Sequence, residues 1–97
     1  MFMKNNSEQY KKELIEVIFK IAKDKELLAD FIKEILTPRE FDNLGVRWQI
    51  VERLAKGEHH QAIAESLHLG VSTVTRGSRE MRNKNGGFRR ALKVIHK

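Results

Sequence analysis

Apolar residues in the first third of the chain recur at helical spacing and almost nowhere at the alternating spacing of a strand. This pattern predicts two amphipathic helices, from about residue 8 to 23 and from about residue 25 to 36. Their apolar positions are Leu14, Val17, Ile18 and Ile21 in the first helix, and Leu27, Leu28, Phe31, Ile32 and Ile35 in the second.

The run Thr37-Pro38-Arg39-Glu40 is a strong start signal for a third helix. Threonine is a good N-cap, proline suits the first helical position, and the glutamate is placed to complete a capping box. Gly57 can adopt the left-handed conformation that ends a helix, so we expect the third helix to extend to this glycine and to be the longest. Its apolar stripe consists of Phe41, Leu44, Trp48, Val51, Leu54 and Ala55.

The segment from about residue 60 to 82 has the pattern of a helix-turn-helix, two short helices around a tight turn. Ala64 is a small residue where the two helices would cross. The apolar residues that would clamp them are Ile63, Leu67, Leu69, Val71 and Val74. Ser72, Thr73 and Thr75 would lie near the leading end of the second helix, and the arginines Arg76, Arg79 and Arg82 follow. Such a helix can enter a DNA groove, with small polar residues at bases and arginines at phosphates.

The turn-forming run at residues 83–87 separates the motif from a last predicted helix, from about residue 88 to 96. Phe88, Ala91, Leu92 and Ile95 define its apolar face. The chain is therefore predicted to be all-α with six helices, forming a single domain at residues 8–97 after a flexible N-terminus at residues 1–7. The apolar stripes are generous for so short a chain, so we expect a second subunit to cover part of them in a homodimer.

The formal charge of +6 belongs entirely to the end of the chain that carries the helix-turn-helix. Residues 1–58 contain 11 basic and 11 acidic residues, whereas residues 59–97 contain 8 basic and 2 acidic residues. A polyanion would be drawn to this portion, with an affinity that falls as salt rises. The alternative is a solvated basic tail with no partner.

Composition narrows the functional classes further. The absence of cysteine rules out disulfides and thiolate chemistry. No apolar run is long enough to cross a bilayer and the start does not resemble a signal peptide, so we expect a cytoplasmic protein without a membrane partner. We expect no enzyme, because catalytic motifs are missing, and no metal site. The spacing of the four histidines, His59, His60, His68 and His96, does not suit metal binding.

Five short runs resemble, in order and nearly in spacing, the bacterial Trp repressor family over about residues 35–82. They are Leu36-Thr37-Pro38, Leu44-Gly45-Val46-Arg47, Ile50-Val51-Glu52, Gly57-Glu58 and Thr75-Arg76-Gly77-Ser78. The most specific is Thr-Arg-Gly-Ser directly after a helix-turn-helix, combined with Arg47 in the preceding long helix. The resemblance implies an intertwined homodimer with one helix-turn-helix at each end.

The resemblance also implies L-tryptophan as corepressor, with no catalytic cofactor. In the family the indole lies between two arginines, which correspond to Arg47 and Arg76, and Arg76 also pairs with the ligand carboxylate. Thr37 of the second subunit corresponds to the threonine at that carboxylate, and Gly77 to the glycine that lets the ligand lie against the backbone. The alternatives for the arginines are an intrahelical pairing of Arg47 with Asp42, Gln49 or a neighbouring acid, and a phosphate contact by Arg76.

The ligand ammonium group is held in the family by a serine hydroxyl and by carbonyls at the end of the second helix of the other subunit. Glu80 stands in place of that serine, and either pairs with the ammonium or is a solvated acid. The corresponding carbonyls belong to Glu34 and Leu36. Trp48 replaces a smaller residue of the family, and either narrows the indole pocket or packs in the core.

Ten residues of this sequence are candidates for DNA contact, some from the helix-turn-helix pattern and some from the resemblance to the family. They are His60, Gln61, Ala64, Val71, Ser72, Thr73, Thr75, Arg76, Arg79 and Arg82. Several differ in type from the family, and the connection before His60 is one residue shorter, so we expect a different operator. His68 stands where a turn glycine is usual, and histidine tolerates the left-handed conformation better than most residues.

The leading hypothesis is therefore a tryptophan-responsive repressor that binds double-stranded operator DNA as a dimer. A second hypothesis keeps this fold and DNA binding but replaces tryptophan by another small ligand or by none. A third is a helical interaction module whose basic surface meets an acidic protein. A steep salt dependence of binding to duplex DNA would separate the first two from the third.

Overall fold

The computed structural model describes residues 6–96, and within that range the chain is helical with no strand, as the periodicity predicts. The fold is the all-α, six-helix fold expected from the sequence. The helices are α1 (Ser7–Ile21), α2 (Lys25–Ile35), α3 (Pro38–Ala55), α4 (His60–Leu67), α5 (Val71–Met81) and α6 (Gly87–Ile95). The flexible terminus predicted at residues 1–7 lies mostly outside the described range, and Ser7 already belongs to α1. Within residues 6–96, no helix is long and apolar enough to cross a membrane.

The chain divides into two compact units, the first ending at Phe41 and the second beginning at Asp42. In the N-terminal unit α1 and α2 pack on each other through half-buried apolar side chains. These are Leu14, Ile18, Ile21, Leu28, Phe31 and Ile32. No residue of α1 or α2 is fully buried. The predicted apolar faces exist, but one copy of this unit does not shield them from water.

Local capping fixes the helix starts of the N-terminal unit. At α2, the Asp24 carboxylate accepts a hydrogen bond from the Leu27 backbone N–H at 3.0 Å. At α3, the Thr37 hydroxyl accepts from the Glu40 N–H at 3.1 Å, and the Glu40 carboxylate accepts from the Thr37 N–H at 2.8 Å. This reciprocal pair is the predicted capping box, and it satisfies two backbone donors that the helix cannot pair itself.

Two helices of the C-terminal unit end in the same left-handed motif. After α3, Gly57 has φ +88°, its N–H donates to the Leu54 carbonyl, and the Glu58 N–H donates to the Arg53 carbonyl. The helix itself ends at Ala55, two residues before the predicted limit at the capping glycine. After α4, His68 takes the left-handed place with φ 57°, as expected for this position. Both ends form Schellman motifs, which satisfy the last carbonyls and turn the chain sharply.

The C-terminal unit has a core of two clusters, which both include residues of α3 and share Leu54. The first consists of the buried residues Ile50, Ile63, Ala64 and Val74, with Val46, Leu54, Leu67 and Leu69 packed around them. The second consists of Val51, Met81 and Leu92, with Trp48, Leu54 and Phe88 around them. The first cluster holds the helix-turn-helix on α3, and the second holds α6 against α3 and α5.

Three polar contacts fix the surrounding helices onto α3 and α5. The Arg53 guanidinium donates to the Ser66 hydroxyl, which connects α3 to α4. The Arg89 Nε donates to the Met81 carbonyl at 2.7 Å, which connects α6 to the end of α5. Finally, the His96 Nε2 lies 2.9 Å from a Glu52 carboxylate oxygen, which connects α6 to α3. The orientation of the helix-turn-helix is thus set by both apolar packing and hydrogen bonds.

Candidate ligand pocket and nucleic-acid interface

A cavity of about 350 Å³ lies in the C-terminal unit among three of its helices. Its volume falls at the small end of the range typical of small-molecule sites. The lining residues are Arg47, Ile50 and Val51 of α3, Thr73, Arg76, Gly77 and Glu80 of α5, and Phe88 of α6. Four of these, Arg47, Arg76, Gly77 and Glu80, are ligand residues predicted from the sequence.

Helical spacing explains how two helices contribute these side chains. On α5, Arg76 and Gly77 lie three and four positions after Thr73, and Glu80 lies four positions after Arg76. On α3, Ile50 and Val51 lie three and four positions after Arg47. Residues three and four apart share one helix face. Two faces therefore meet across the cavity, each with an arginine and an apolar or small residue.

The cavity has an apolar floor and a charged rim. Ile50 and Val51 are buried, whereas Arg47, Arg76 and Glu80 are exposed. Within residues 6–96 neither arginine forms a hydrogen bond or ion pair, so the alternative pairing of Arg47 with Asp42 or Gln49 is not observed. Two cations, one anion and an apolar floor complement a zwitterionic molecule with an apolar side chain.

Gly77 has a packing role in addition to its place in the cavity wall. A Cβ atom at this position would lie 3.0 Å from the Ile50 Cγ2 atom on α3. That distance is too short for an ordinary contact, so the absence of a side chain lets α5 approach α3 closely.

Four lining residues were not among the ligand residues predicted from the sequence: Ile50, Val51, Thr73 and Phe88. Thr73 was predicted to contact DNA instead. Helical periodicity identifies Val51 and Phe88 as core positions, and the family-like run at residues 50–52 includes Ile50. Only the crossing of α3, α5 and α6 shows that the same side chains also face a cavity. Trp48 does not line the cavity but packs on the second core cluster, so the core alternative for this residue agrees with the structure.

The remaining predicted ligand groups, Glu34, Leu36 and Thr37, belong to the N-terminal unit. Glu34 lies in the last turn of α2, where backbone carbonyls lack partners within the helix. The Thr37 hydroxyl oxygen accepts the Glu40 N–H, which leaves its own O–H available as a donor. Their role at a ligand stays a prediction.

Most of the residues predicted to contact DNA lie on the surface of the helix-turn-helix. Gln61, Val71, Ser72, Thr73, Arg76, Arg79 and Arg82 are exposed, and His60 and Thr75 are half-buried. Ser72, Thr75 and Arg79 follow one another at helical spacing and form an outward stripe on α5. Thr73 and Arg76 are displaced toward the cavity and line its wall.

Ala64 requires a correction. It is only 2% exposed and lies in the first core cluster, with Ile63 and Val74. A side chain enclosed in this way is not accessible to DNA, so we remove it from the interface. Its position instead agrees with the prediction that Ala64 is the small residue where the two helices of the helix-turn-helix cross.

Within residues 6–96, no group of three histidine, aspartate or glutamate side chains is placed to hold a metal ion. The polar and aromatic groups that line the cavity are guanidinium, carboxylate, hydroxyl and phenyl groups.

Comparison with known proteins gives one consistent result. The family model described as "Trp repressor protein" matches residues 6–96. The Trp operon repressor homolog of Mannheimia succiniciproducens is 33% identical over 91 residues, covering 91% of this chain and 86% of the relative. The homolog of Vibrio parahaemolyticus is 31% identical over 84 residues, covering 86% and 81%. That of Pasteurella multocida is 35% identical over 81 residues, covering 80% and 76%.

Proposed function

Because this chain belongs to the Trp repressor family, we propose that it is a tryptophan-responsive transcriptional repressor that binds operator DNA as a homodimer. The observation that carries the proposal is the placement of Arg76 and Glu80. Both lie on α5, the second helix of the helix-turn-helix, and both line the cavity opposite Arg47. A ligand in this cavity therefore touches the helix that reads DNA. On this proposal the chain is a regulator rather than an enzyme, and acts in the cytoplasm where operator DNA is found.

The indole, the carboxylate and the ammonium group of L-tryptophan each have complementary groups at the cavity. The indole can lie between the planar guanidinium groups of Arg47 and Arg76, above the floor formed by Ile50 and Val51. The carboxylate can pair with Arg76 and accept the free O–H of Thr37 from the second copy. The ammonium can pair with Glu80, with the carbonyls of Glu34 and Leu36 of the second copy as further acceptors.

Coupling between ligand and DNA follows from the shared helix. If tryptophan binds more tightly to the orientation of α5 that fits operator DNA, then tryptophan raises the affinity for DNA. Linkage requires that DNA raise the affinity for tryptophan by the same factor. The stripe of Ser72, Thr75 and Arg79 then contacts DNA, while Arg76 faces the ligand.

A homodimer is supported by the apolar surface of the N-terminal unit. Ile15 and Phe19 lie one helical turn apart on α1 and are 63% and 77% exposed in the single chain. Large apolar side chains exposed together mark surfaces that bind a partner. A second copy of the same unit would cover them, consistent with the family's intertwined dimer.

Glu80 favours a second candidate function, in which the same DNA-binding protein senses another ligand or none. The family has a serine at this position, and the carboxylate adds a negative charge to the cavity, which favours ligands with more positive charge than tryptophan. On this alternative the chain binds duplex DNA with a steep salt dependence, but tryptophan leaves the affinity unchanged.

Titration calorimetry of the full chain with L-tryptophan tests the proposal. We expect saturable binding to the wild-type protein, and a loss of affinity of roughly ten- to hundred-fold in Arg76→Ala, because a charged hydrogen bond is removed. Arg82→Ala is the matched control, since Arg82 follows the same helix but does not line the cavity, and it should bind tryptophan like the wild type. No heat with the wild-type protein would contradict the proposal and favour the second candidate.

A further inference from the structure

Phe88 supplies the aromatic wall of the cavity, and it comes from a third helix. The other lining residues belong to α3 and α5, whereas Phe88 lies at the start of α6 and is half-buried. No other lining residue is aromatic. One part of its ring packs on the second core cluster, and another part faces the cavity.

Trp48 holds the ring of Phe88 in place. The two ring centroids are 6.4 Å apart and the planes meet at 60°, which is an edge-to-face arrangement. Such pairs have a preferred geometry because the positive ring edge faces the negative ring face. Trp48 itself packs on the cluster of Val51, Met81 and Leu92. The Phe88 ring is therefore set against a packed core and is not a freely rotating surface group.

The backbone around Phe88 is fixed relative to α5 as well. The Gly86 N–H donates to the Asn83 carbonyl at 3.0 Å in the tight turn before α6. A Cβ on Gly86 would lie 3.2 Å from the same Asn83 oxygen, so the turn favours glycine. The Arg89 side chain then bonds the Met81 carbonyl at the end of α5. The wall carrying Phe88 is thus attached to the helix that carries Arg76 and Glu80.

We infer that Phe88 is the specificity-determining residue that limits the size of the aromatic ring the cavity accepts, and that Trp48 is its positioning residue. The inference rests on the proposed function, because it assigns a contact to the ligand's indole. Arg76 and Glu80 recognise the carboxylate and ammonium groups that every amino acid carries, and the guanidinium planes of Arg47 and Arg76 can stack on any flat ring. Phe88 is the wall that distinguishes one side chain from another.

The test enlarges the cavity and measures selectivity. Calorimetry compares L-tryptophan with the four tryptophans that carry bromine at ring position 4, 5, 6 or 7, using the wild-type chain and Phe88→Ala. We expect Phe88→Ala to bind tryptophan roughly three- to ten-fold more weakly, since an aromatic contact is lost. We also expect at least one brominated ligand to gain about ten-fold relative to tryptophan, because the bromine fills the space that the phenyl ring leaves.

Two further variants separate a wall from a merely stabilising residue. Ile63→Ala removes apolar volume from the other core cluster, and Ile63 does not line the cavity. The ratio of the affinity for each brominated ligand to the affinity for tryptophan should therefore stay at the wild-type value. Phe88→Leu retains an apolar wall, so its affinity ratio should lie between those of the wild type and Phe88→Ala. This variant also keeps the test informative if the alanine variant does not fold. For Trp48, the conservative change Trp48→Phe should preserve the ratio, whereas Trp48→Leu should shift it toward that of Phe88→Ala.

The outcomes separate the inference from the proposed function. If the wild-type chain binds tryptophan and the ratio does not change for any brominated ligand in Phe88→Ala or Phe88→Leu, the inference is wrong and the proposed function stands. If the wild-type chain binds none of the five ligands, both are wrong. A changed ratio in Ile63→Ala equal to that in Phe88→Ala would also overturn the inference, since the effect would then come from lost stability.

Discussion

The two compact units of this chain use their apolar residues in opposite ways. The C-terminal unit encloses seven apolar side chains in two clusters, and Ile63 and Val74 have no exposed surface at all. The N-terminal unit has two amphipathic helices of regular pattern, yet no residue of either helix is buried. The same kind of sequence pattern therefore produces a closed core in one unit and an exposed apolar surface in the other.

This difference shows what each unit needs in order to be stable. The C-terminal unit contains the apolar contacts that hold its helices together within one chain. The N-terminal unit relies on local capping at Asp24 and Thr37 and, on our proposal, on a second copy of itself. The following changes test this contrast, beginning with the largest expected effect.

The first change is Ile63→Ala in the C-terminal unit, compared with Ile15→Ala in the N-terminal unit. Ile63 is fully buried, so its truncation leaves a cavity and should lower the free energy of unfolding by about 3 kcal/mol. Ile15 is exposed in one chain, so its truncation should matter only through the dimer, and its effect should shrink as the protein is diluted. Urea unfolding at two protein concentrations measures both. If both variants lost the same free energy of unfolding at both protein concentrations, the two units would not differ in the way described.

The second change is Phe19→Asp on α1. A charge in place of a large apolar side chain should oppose its burial against a second copy and weaken dimerisation by roughly 100-fold. Sedimentation equilibrium should give twice the 11.3 kDa of one chain for the wild type and a mass close to 11.3 kDa for the variant. Lys20→Asp places the same group on the polar side of α1 and should stay dimeric. A wild-type mass of 11.3 kDa at high concentration would contradict the dimer.

The third change is Thr37→Ala, which removes the hydroxyl from the capping box at the start of α3. The Glu40 N–H then loses its partner, and the free energy of unfolding should fall by about 1 kcal/mol. Thr37→Ser keeps the hydroxyl and should retain most of the stability. Thermal unfolding without ligand measures the effect independently of any role in binding. A loss equal in both variants would show that the hydroxyl is not the stabilising group.

The fourth and smallest change is His68→Gly in the turn of the helix-turn-helix. A side chain at φ 57° is disfavoured, so glycine should raise the free energy of unfolding, by less than about 1 kcal/mol because glycine also gains entropy in the unfolded chain. Gly57→Ala makes the opposite change, because it introduces a side chain at φ +88°, and it should lower the free energy of unfolding. Urea unfolding of both variants checks the two signs. A stabilising Gly57→Ala would show that the left-handed turns are not strained for other residues.

The fold could be predicted from the sequence wherever the signal is local. Apolar periodicity and capping signals located α1, α2, α3 and α6 within two residues, and α4 and α5 lie within the predicted helix-turn-helix segment. The run from Thr37 to Glu40 predicted a capping box whose two hydrogen bonds are both formed. The left-handed conformation at His68 also followed from its place in the motif. Each of these features depends on a few neighbouring residues, so the sequence contains the information needed.

The candidate site was harder to predict from the sequence, because it depends on how the helices cross. Arg47, Arg76, Gly77 and Glu80 were assigned to a ligand through the resemblance to a family, and the structure places all four around one cavity. Ala64 was wrongly assigned to the DNA surface, since a sequence position in a motif does not show which way a side chain faces. The aromatic wall at Phe88 was missed because periodicity indicates only that the residue is apolar and internal.

If the cavity and the DNA-reading helix are coupled as proposed, tryptophan raises the affinity of the full chain for DNA. The direct measurement is a gel-shift titration on a duplex selected from a random library in the presence of tryptophan, repeated with and without the ligand, for the wild type and Arg76→Ala. Tryptophan should lower the protein concentration at half-saturation by roughly ten-fold or more in the wild type, and by much less in the variant. The same midpoint with and without tryptophan in the wild-type protein would contradict the central claim.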